Sequence, residues 1–241
     1  MRTRQKPLVI ALALSAALSA TWAGAQDLQL KGNVGQQAEF RALSDDLGAA
    51  LSYKAKTPTE PLGITGFDVG ISVSSTKLAN ADRYGAALDN NTNLLLPSVS
   101  AQKGLPLGFD IGATYAAANG IKFVGGELRY ALLEGGALVP AVGLRGSMTR
   151  LSGVDELGLS TRGLDLSVSK GFAFATPYAG IGRVWVNSTP RISGVALENE
   201  TFWLSKYYLG IGLNMMLMNL NIEADRTGDA TSYSAKLGIR F

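Results

Sequence analysis

The last nine residues, Tyr233-Ser-Ala-Lys-Leu-Gly-Ile-Arg-Phe241, alternate between apolar and small or basic side chains. Successive side chains of an extended strand point to opposite faces, so this period of two predicts a β-strand. One face of the strand carries the apolar residues Tyr233, Ala235, Leu237, Ile239 and Phe241. The other face carries Lys236 and Arg240 with Ser234 and Gly238. The pattern indicates a strand that lies between an apolar environment and a polar one.

An alternating strand that ends on Phe resembles the last strand of bacterial outer-membrane β-barrel proteins. In that family the barrel-assembly machinery reads this strand, so the resemblance implies an assembly signal at Tyr233, Leu237, Ile239 and Phe241. It also implies a location in the outer membrane of a Gram-negative envelope, with membrane lipids and lipopolysaccharide as neighbours.

The first 25 residues have the organisation of a cleavable signal peptide. Arg2, Arg4 and Lys6 precede an apolar run over residues 8–18, and Ala23-Gly-Ala25 provides a small-x-small cleavage site. The alternative is an uncleaved membrane helix, but the run is shorter than the roughly 20 apolar residues that a helix needs to cross a bilayer. The sequence therefore predicts export, with cleavage after residue 25.

Composition narrows the chemistry of the exported chain. Removing the signal peptide leaves 22 − 3 = 19 basic residues against 19 acidic ones, so the high overall pI does not indicate a nucleic-acid partner. The chain contains neither cysteine nor histidine, which excludes disulfides and thiolate metal ligands. We expect no catalytic residues, no metal and no cofactor.

Ten segments after residue 64 have strand patterns, and most are about as long as the 9–11 residues that cross a bilayer at a tilt. Their starting points fall near Phe67, Leu94, Phe109, Val124, Val142, Leu164, Tyr178, Trp203, Leu220 and Tyr233. The connections alternate between short and long, as in outer-membrane barrels with short periplasmic turns and long outer loops. The sequence thus predicts an all-β fold, a transmembrane antiparallel up-and-down β-barrel of about 10 strands at residues 64–241. Twelve strands require two more in residues 28–39 and 47–54.

Residues 26–63 form a separate N-terminal segment in this interpretation. Phe40, Leu43, Leu47 and Leu51 recur at helical spacing, which favours a short amphipathic helix. Two prolines within Thr57-Pro-Thr-Glu-Pro-Leu-Gly63 then predict a linker. We expect this segment to lie in the periplasm, where its helix plugs or caps the barrel end.

The polar faces of the strands decide which side faces lipid. They combine many Gly and Ser residues with balanced charges, which suits a narrow interior better than the solvated exterior of a soluble lipocalin-like barrel. We therefore predict a lumen charge network of six acids and six bases. Its members are Asp68, Asp110, Glu127, Asp165, Glu223, Asp225, Arg129, Arg145, Arg183, Lys206, Lys236 and Arg240.

Two functions are compatible with this architecture. The last strand of this chain resembles that of small outer-membrane barrels, and the enzymes among those barrels use a histidine in the active site. This chain contains no histidine, so we predict that the protein is not an enzyme. The first candidate is a porin-like passive transport or envelope-structural role with a narrow, charge-filled lumen and an unknown small solute. The alternative is a surface adhesin that acts through loops 78–91 and 188–200.

Overall fold

The computed structural model describes residues 34–84, 91–118, 121–136, 138–192 and 194–241. The predicted signal peptide lies outside these ranges. Within them, no helix has the length and hydropathy that a transmembrane helix requires.

Ten antiparallel strands close into a barrel in which each strand pairs with its sequence neighbours and the last pairs with the first. They are β1 (Phe67–Lys77), β2 (Asn93–Gly104), β3 (Phe109–Ala118), β4 (Ile121–Leu133), β5 (Ala141–Ser152), β6 (Leu157–Ser169), β7 (Ala175–Pro190), β8 (Glu200–Met215), β9 (Met218–Thr227) and β10 (Ala230–Arg240). The predicted ten-strand up-and-down barrel is confirmed. Residues 47–54, needed as a strand in the twelve-strand alternative, instead form the end of a helix and an irregular segment.

The seam between β1 and β10 includes the last residue of the sequence. The backbone N–H of Phe67 donates to the Phe241 carbonyl at 2.6 Å, and the Phe241 N–H donates to the Phe67 carbonyl at 3.0 Å. The two rings stack with centroids 5.6 Å apart. Both rings are exposed, at the barrel end where the short connections lie. Phe241 therefore contributes both backbone pairing and an aromatic contact to closure.

Replacing Phe241 with Asp is expected to reduce the amount of assembled barrel, because it removes the ring stack and places a charge at an apolar edge. The measurement is the fraction of membrane-inserted protein that shows the heat-modifiable gel mobility of a folded barrel. Phe241→Trp keeps an interfacial aromatic and serves as the control. Equal folded fractions in the Asp and Trp variants would contradict a role for this contact in assembly.

The outer surface of the barrel is apolar, as predicted from the alternation. Leu209 on β8 is 66% exposed and Ile222 on β9 is 50% exposed, whereas Glu223, the next residue of β9, is buried. Polar residues such as Ser72 and Ser98 point inward on β1 and β2. An exterior of this kind is stable only in contact with an apolar medium, since large soluble-protein surfaces rarely expose continuous apolar patches.

An α-helix, α1 (Gln37–Ala50), lies inside the barrel, and a short helix, α2 (Ala81–Tyr84), lies in the connection between β1 and β2. The Glu39 carboxylate accepts the Gln36 N–H at 3.2 Å and stabilises the start of α1. The helix was predicted, but at the periplasmic barrel end with the short turns. It lies instead at the opposite end, where it contacts α2 and the ends of β6, β7, β8 and β10.

The position of α1 follows from a hydrophobic core inside that end of the barrel. Phe40, Leu43 and Leu47 on the helix are fully buried. Inward-facing apolar residues surround them: Leu94, Leu96, Ile121, Phe123, Leu151, Leu157, Leu159, Val184, Val186, Phe202 and Leu204. Gly48 allows the closest approach, because a Cβ there would lie 2.7 Å from a Val186 methyl group. The lumen is therefore apolar near the long connections and polar near the short ones.

Candidate functional site: a plugged lumen

Residues 34–62, which we call the plug, enter the lumen as α1 and continue as an irregular segment toward the end where β1 begins. Residues 51–59 of this segment are buried throughout. The predicted linker over residues 57–63 is thus largely inside the barrel rather than beneath it. Its two prolines prevent this stretch from joining the sheet, so side chains of the wall must satisfy its backbone groups.

Polar contacts hold the upper part of the plug against β7 and β8. The Ser44 hydroxyl donates to the Ser188 hydroxyl at 2.8 Å. Arg41 forms a 3.0 Å ion pair with Glu200, and its guanidinium lies 3.7 Å from the centroid of the Phe202 ring. Gln37 hydrogen bonds to the same carboxylate. These contacts fix the rotation of α1 within its apolar surroundings.

The middle of the plug contributes a buried lysine. The Lys54 ammonium donates to Asp225 Oδ2 and Ser232 Oγ, both at 3.0 Å, and to the Ala49 carbonyl at 3.1 Å. In the other direction, the wall residue Lys206 donates to the Tyr53 carbonyl at 2.5 Å. A charge of the plug, Lys54, therefore pairs with a charge of the wall, Asp225, in the buried interior of the barrel.

Lys56 lies one step closer to the short-turn end. Its backbone N–H donates to Glu223 Oε2 at 2.8 Å. Its ammonium donates to the hydroxyls of Ser72 at 2.8 Å and Ser98 at 3.2 Å. Tyr178 also donates to Glu223 Oε2, at 3.1 Å. Small hydroxyl side chains on β1 and β2 thus provide both the room and the acceptors for this lysine.

The lower end of the plug is held by β3, β4 and β6. The Arg129 guanidinium donates to Thr57 Oγ1 at 3.1 Å and to the Pro58 carbonyl at 3.2 Å. Thr59 Oγ1 donates to Ser167 Oγ at 2.9 Å, and the Leu62 N–H donates to Asp110 Oδ1 at 3.0 Å. Every stretch of the plug is therefore attached to the wall through side chains.

The structure places ten of the twelve predicted lumen charges in buried positions inside the barrel: Asp68, Asp110, Glu127, Arg129, Arg145, Asp165, Lys206, Glu223, Asp225 and Lys236. Arg240 is partly exposed at the barrel edge, where its guanidinium lies 3.0 Å from Asp68, which also pairs with Lys236. Other ion pairs join neighbouring strands. Arg129 lies 2.8 Å from Asp110, and Arg145 lies 2.8 Å from Glu127 and 3.8 Å from Asp165.

Arg183 is not a lumen residue. It is exposed on the outer face of β7, with its guanidinium 3.7 Å from the centroid of the Trp203 ring. The prediction was wrong because Val184 and Val186, which have the apolar character of lipid-facing residues, lie on the inner face of β7. Both pack inward against α1, which reverses the register of this strand.

Lys54 and Lys56 are lumen charges that the sequence analysis missed. They lie in a segment interpreted as the approach to a linker, where lysines are normally solvated. Charge balance offered one signal. With Arg183 outside, six predicted acids face only five predicted bases, and the two plug lysines supply additional positive charge.

Two small cavities lie between described residues of the plug and the wall. One cavity, lined by Ser74, Ser100, Thr114 and Lys236 among others, has a volume of about 20 Å³. A second, beside Arg129 and Arg145, has about 10 Å³. Such volumes accommodate about one water molecule each. Neither cavity admits a solute while the plug is in place.

The plug is also attached to the long connection between β1 and β2. Asp46 of α1 accepts hydrogen bonds from the backbone N–H groups of Ala79 at 3.0 Å and Asn80 at 2.7 Å. The Tyr84 hydroxyl donates to the same carboxylate. Burial and this hydrogen bond raise the pKa of the Tyr84 phenol well above its usual range, so the phenol remains a donor. The carboxylate therefore joins the plug to a surface loop.

No family model matches this chain, and no curated protein matches it. Solved bacterial outer-membrane β-barrels do match. The N-terminal β-barrel domain of Pseudomonas aeruginosa OprF is 13% identical, with a TM-score of 0.38 over 72% of this chain and 97% of that one. The KdgM porin is 10% identical, with a TM-score of 0.39 over 72% and 99%. The outer-membrane protein OprG from Pseudomonas aeruginosa is 10% identical, with a TM-score of 0.37 over 77% and 99%.

Proposed function

We propose that this protein is an outer-membrane passive-transport barrel whose own N-terminal segment closes the lumen. The observation that carries the proposal is that residues 51–62 occupy a polar passage without joining the sheet. Movement of this segment requires no loss of strand pairing. A narrow solute path through the barrel then depends on the position of the plug.

The wall beside the plug supports transport over a purely structural role. Ser72, Ser98, Ser100 and Thr114 face the plug from β1, β2 and β3, and all four are small and hydroxylated. If the plug moves away, these residues line a passage that water can fill, because hydroxyls exchange their protein partners for water at little cost. A barrel that serves only as a structural element can fill its interior with larger wall side chains.

The alternative adhesin function assigns the activity to loops 78–91 and 188–200. The described parts of these loops contact the plug, through Asp46 at residues 79–84 and through Gln37 at Glu198. The contacts favour a role of the loops in holding the plug. In the adhesin alternative, a partner that binds these loops at the cell surface would also move the plug.

A reversible covalent tether tests whether the plug controls conductance. The chain has no cysteine, and Thr59 Oγ1 lies 2.9 Å from Ser167 Oγ, so Thr59→Cys/Ser167→Cys places one disulfide between plug and wall. We expect openings in planar bilayers, measured in urea that leaves the barrel folded, to disappear on oxidation and return on reduction.

Ser74→Cys/Ser234→Cys is the matched control. These hydroxyls lie 2.8 Å apart across β1 and β10, so the disulfide joins two wall strands and leaves the plug free. Its openings should not respond to oxidation. Persistent openings in the oxidised Thr59/Ser167 variant would reject gating by the plug. A complete absence of openings in the untethered protein would reject transport and leave a structural barrel.

A further inference from the structure

The outer face of the barrel carries charges of one sign. Among the described strand residues, every charged side chain that points outward is basic: Lys77, Lys103, Lys122, Arg150, Arg162, Arg183 and Arg226. Six of the seven lie in the half of their strand nearer the long connections, and Lys103 is the exception. A basic side chain on a lipid-facing surface is unfavourable unless it reaches an interface or an anionic partner.

Three of these residues lie on consecutive strands, each two positions from direct opposition to the next: Arg150 on β5, Arg162 on β6 and Arg183 on β7. We call these three residues the arginine patch. Arg162 is opposite Trp185 in the β6–β7 register, and Trp185 is opposite Trp203 in the β7–β8 register. The two indole rings stack at 19° with centroids 6.0 Å apart. The Arg183 guanidinium lies over the Trp203 ring. Stacking holds this guanidinium beside the indoles at the surface of the barrel.

A groove of about 340 Å³ runs along the same surface. It is lined by Arg162 and Trp185 together with the polar residues Ser160, Asn187 and Thr201. The Thr201 hydroxyl donates to Asn187 Oδ1 at 2.6 Å, which leaves the amide NH₂ of Asn187 as a donor. The groove therefore combines a guanidinium, neutral hydrogen-bond donors and an indole face, and none of the described residues that line it carries a carboxylate.

We propose that the arginine patch and this groove bind the phosphate headgroup of an anionic lipid in the outer leaflet, namely a phosphorylated saccharolipid of the lipid A type. Guanidinium groups bind phosphate oxygens in a bidentate manner, and these bonds strengthen where water is scarce. Tryptophan side chains favour the depth of lipid headgroups. The apolar residues below the patch, including Leu164 and Ile181, provide a surface for the acyl chains. The proposal requires an outer-membrane location but does not depend on transport.

Tryptophan fluorescence reports directly on the patch. Of the three tryptophans in the sequence, Trp22 lies in the predicted signal peptide, so the exported protein keeps Trp185 and Trp203, both beside the arginine patch. Titrating this protein in phosphatidylcholine nanodiscs with lipid A should give a saturable fluorescence change. Arg162→Gln/Arg183→Gln should weaken binding by about tenfold or more, since each arginine contributes charge-assisted hydrogen bonds.

Lys77→Gln/Arg226→Gln removes the same charge from β1 and β9, away from the groove, and should leave the affinity within about twofold. Heat-modifiable gel mobility shows that each variant is folded before titration. Three outcomes overturn the proposal: equal loss in both double variants, equal binding of dephosphorylated lipid A, or displacement by inorganic phosphate, which would indicate a site for a free anion. Because conductance is not measured, failure here is independent of the plug.

Discussion

Replacing Arg145 with Met is expected to lower the free energy of unfolding by about 3–5 kcal/mol, because it leaves the buried carboxylate of Glu127 without its cationic partner. Arg145 is 2% exposed and lies between Glu127 and Asp165 inside the barrel. The Tyr208 ring centroid lies 6.0 Å from its guanidinium carbon. In the variant Asp165 keeps Lys206 as a cationic partner, whereas Glu127 keeps only a hydrogen bond from the neutral amide of Gln102. Urea unfolding in lipid vesicles, followed by heat-modifiable gel mobility, gives the measurement.

Arg150→Met on the same strand is the matched control. Arg150 is exposed on the outer face near the long connections, so its replacement should change stability by no more than about 1 kcal/mol. The difference between these two variants separates loss of a buried ion pair from loss of an arginine on β5. A stability of Arg145→Met equal to that of Arg150→Met would show that the enclosed charges do not hold the interior together.

The barrel itself could be predicted because each strand crosses a boundary between two environments. Ile71 and Ile222 face outward while Ser72 and Glu223 face inward, and this alternation is written directly in the sequence. The same rule oriented ten of the twelve predicted lumen charges and explains why the inward face of the closing strand carries Lys236. Where the orientation of a strand depends only on whether each face meets an apolar or a polar medium, the sequence of that strand alone predicts it.

The interior near the long connections could not be predicted in this way. There, inward residues such as Val184 and Leu204 are as apolar as the outward residues Trp185 and Trp203, so the alternation disappears. Their orientation depends on α1, which is distant in sequence and fills this part of the lumen. The error at Arg183 has this origin. Only knowledge that the helix occupies the barrel identifies which of two apolar faces is inside.

The two halves of the lumen hold the plug by different means. Around α1, burial of the apolar side chains of Phe40, Leu43 and Leu47 stabilises the helix in the lumen. The hydrophobic effect is non-directional, so this burial does not by itself define one position of the helix. Around Lys54 and Lys56, specific hydrogen bonds and charges define one position of the segment. The polar half therefore sets the register of the plug, while the apolar half provides much of its attachment.

Replacing Asp46 with Ala is expected to release the β1–β2 connection from the plug. The carboxylate is 1% exposed and accepts hydrogen bonds from Ala79, Asn80 and Tyr84. Hydrogen bonds to a charged acceptor contribute about 1.5–3 kcal/mol, so the open population of this loop should rise about tenfold or more. Arg83 is exposed within the loop and offers a trypsin site that becomes accessible when the loop opens. The measurement is the rate of trypsin cleavage after Arg83 in intact cells.

Asp45→Ala is the control for this prediction, because Asp45 is adjacent on α1 but only partly buried. It should leave the cleavage rate unchanged, so that faster cleavage in the Asp46 variant reflects the lost bonds rather than a change of charge on the helix. Equal rates in the two variants would contradict the role of Asp46 as the link between plug and loop.

The use of intact cells also tests the orientation of the barrel, since added trypsin reaches Arg83 only if the long connections face outward. Cleavage seen only after the envelope is opened would reverse the orientation of the barrel and place α1 at its inner end.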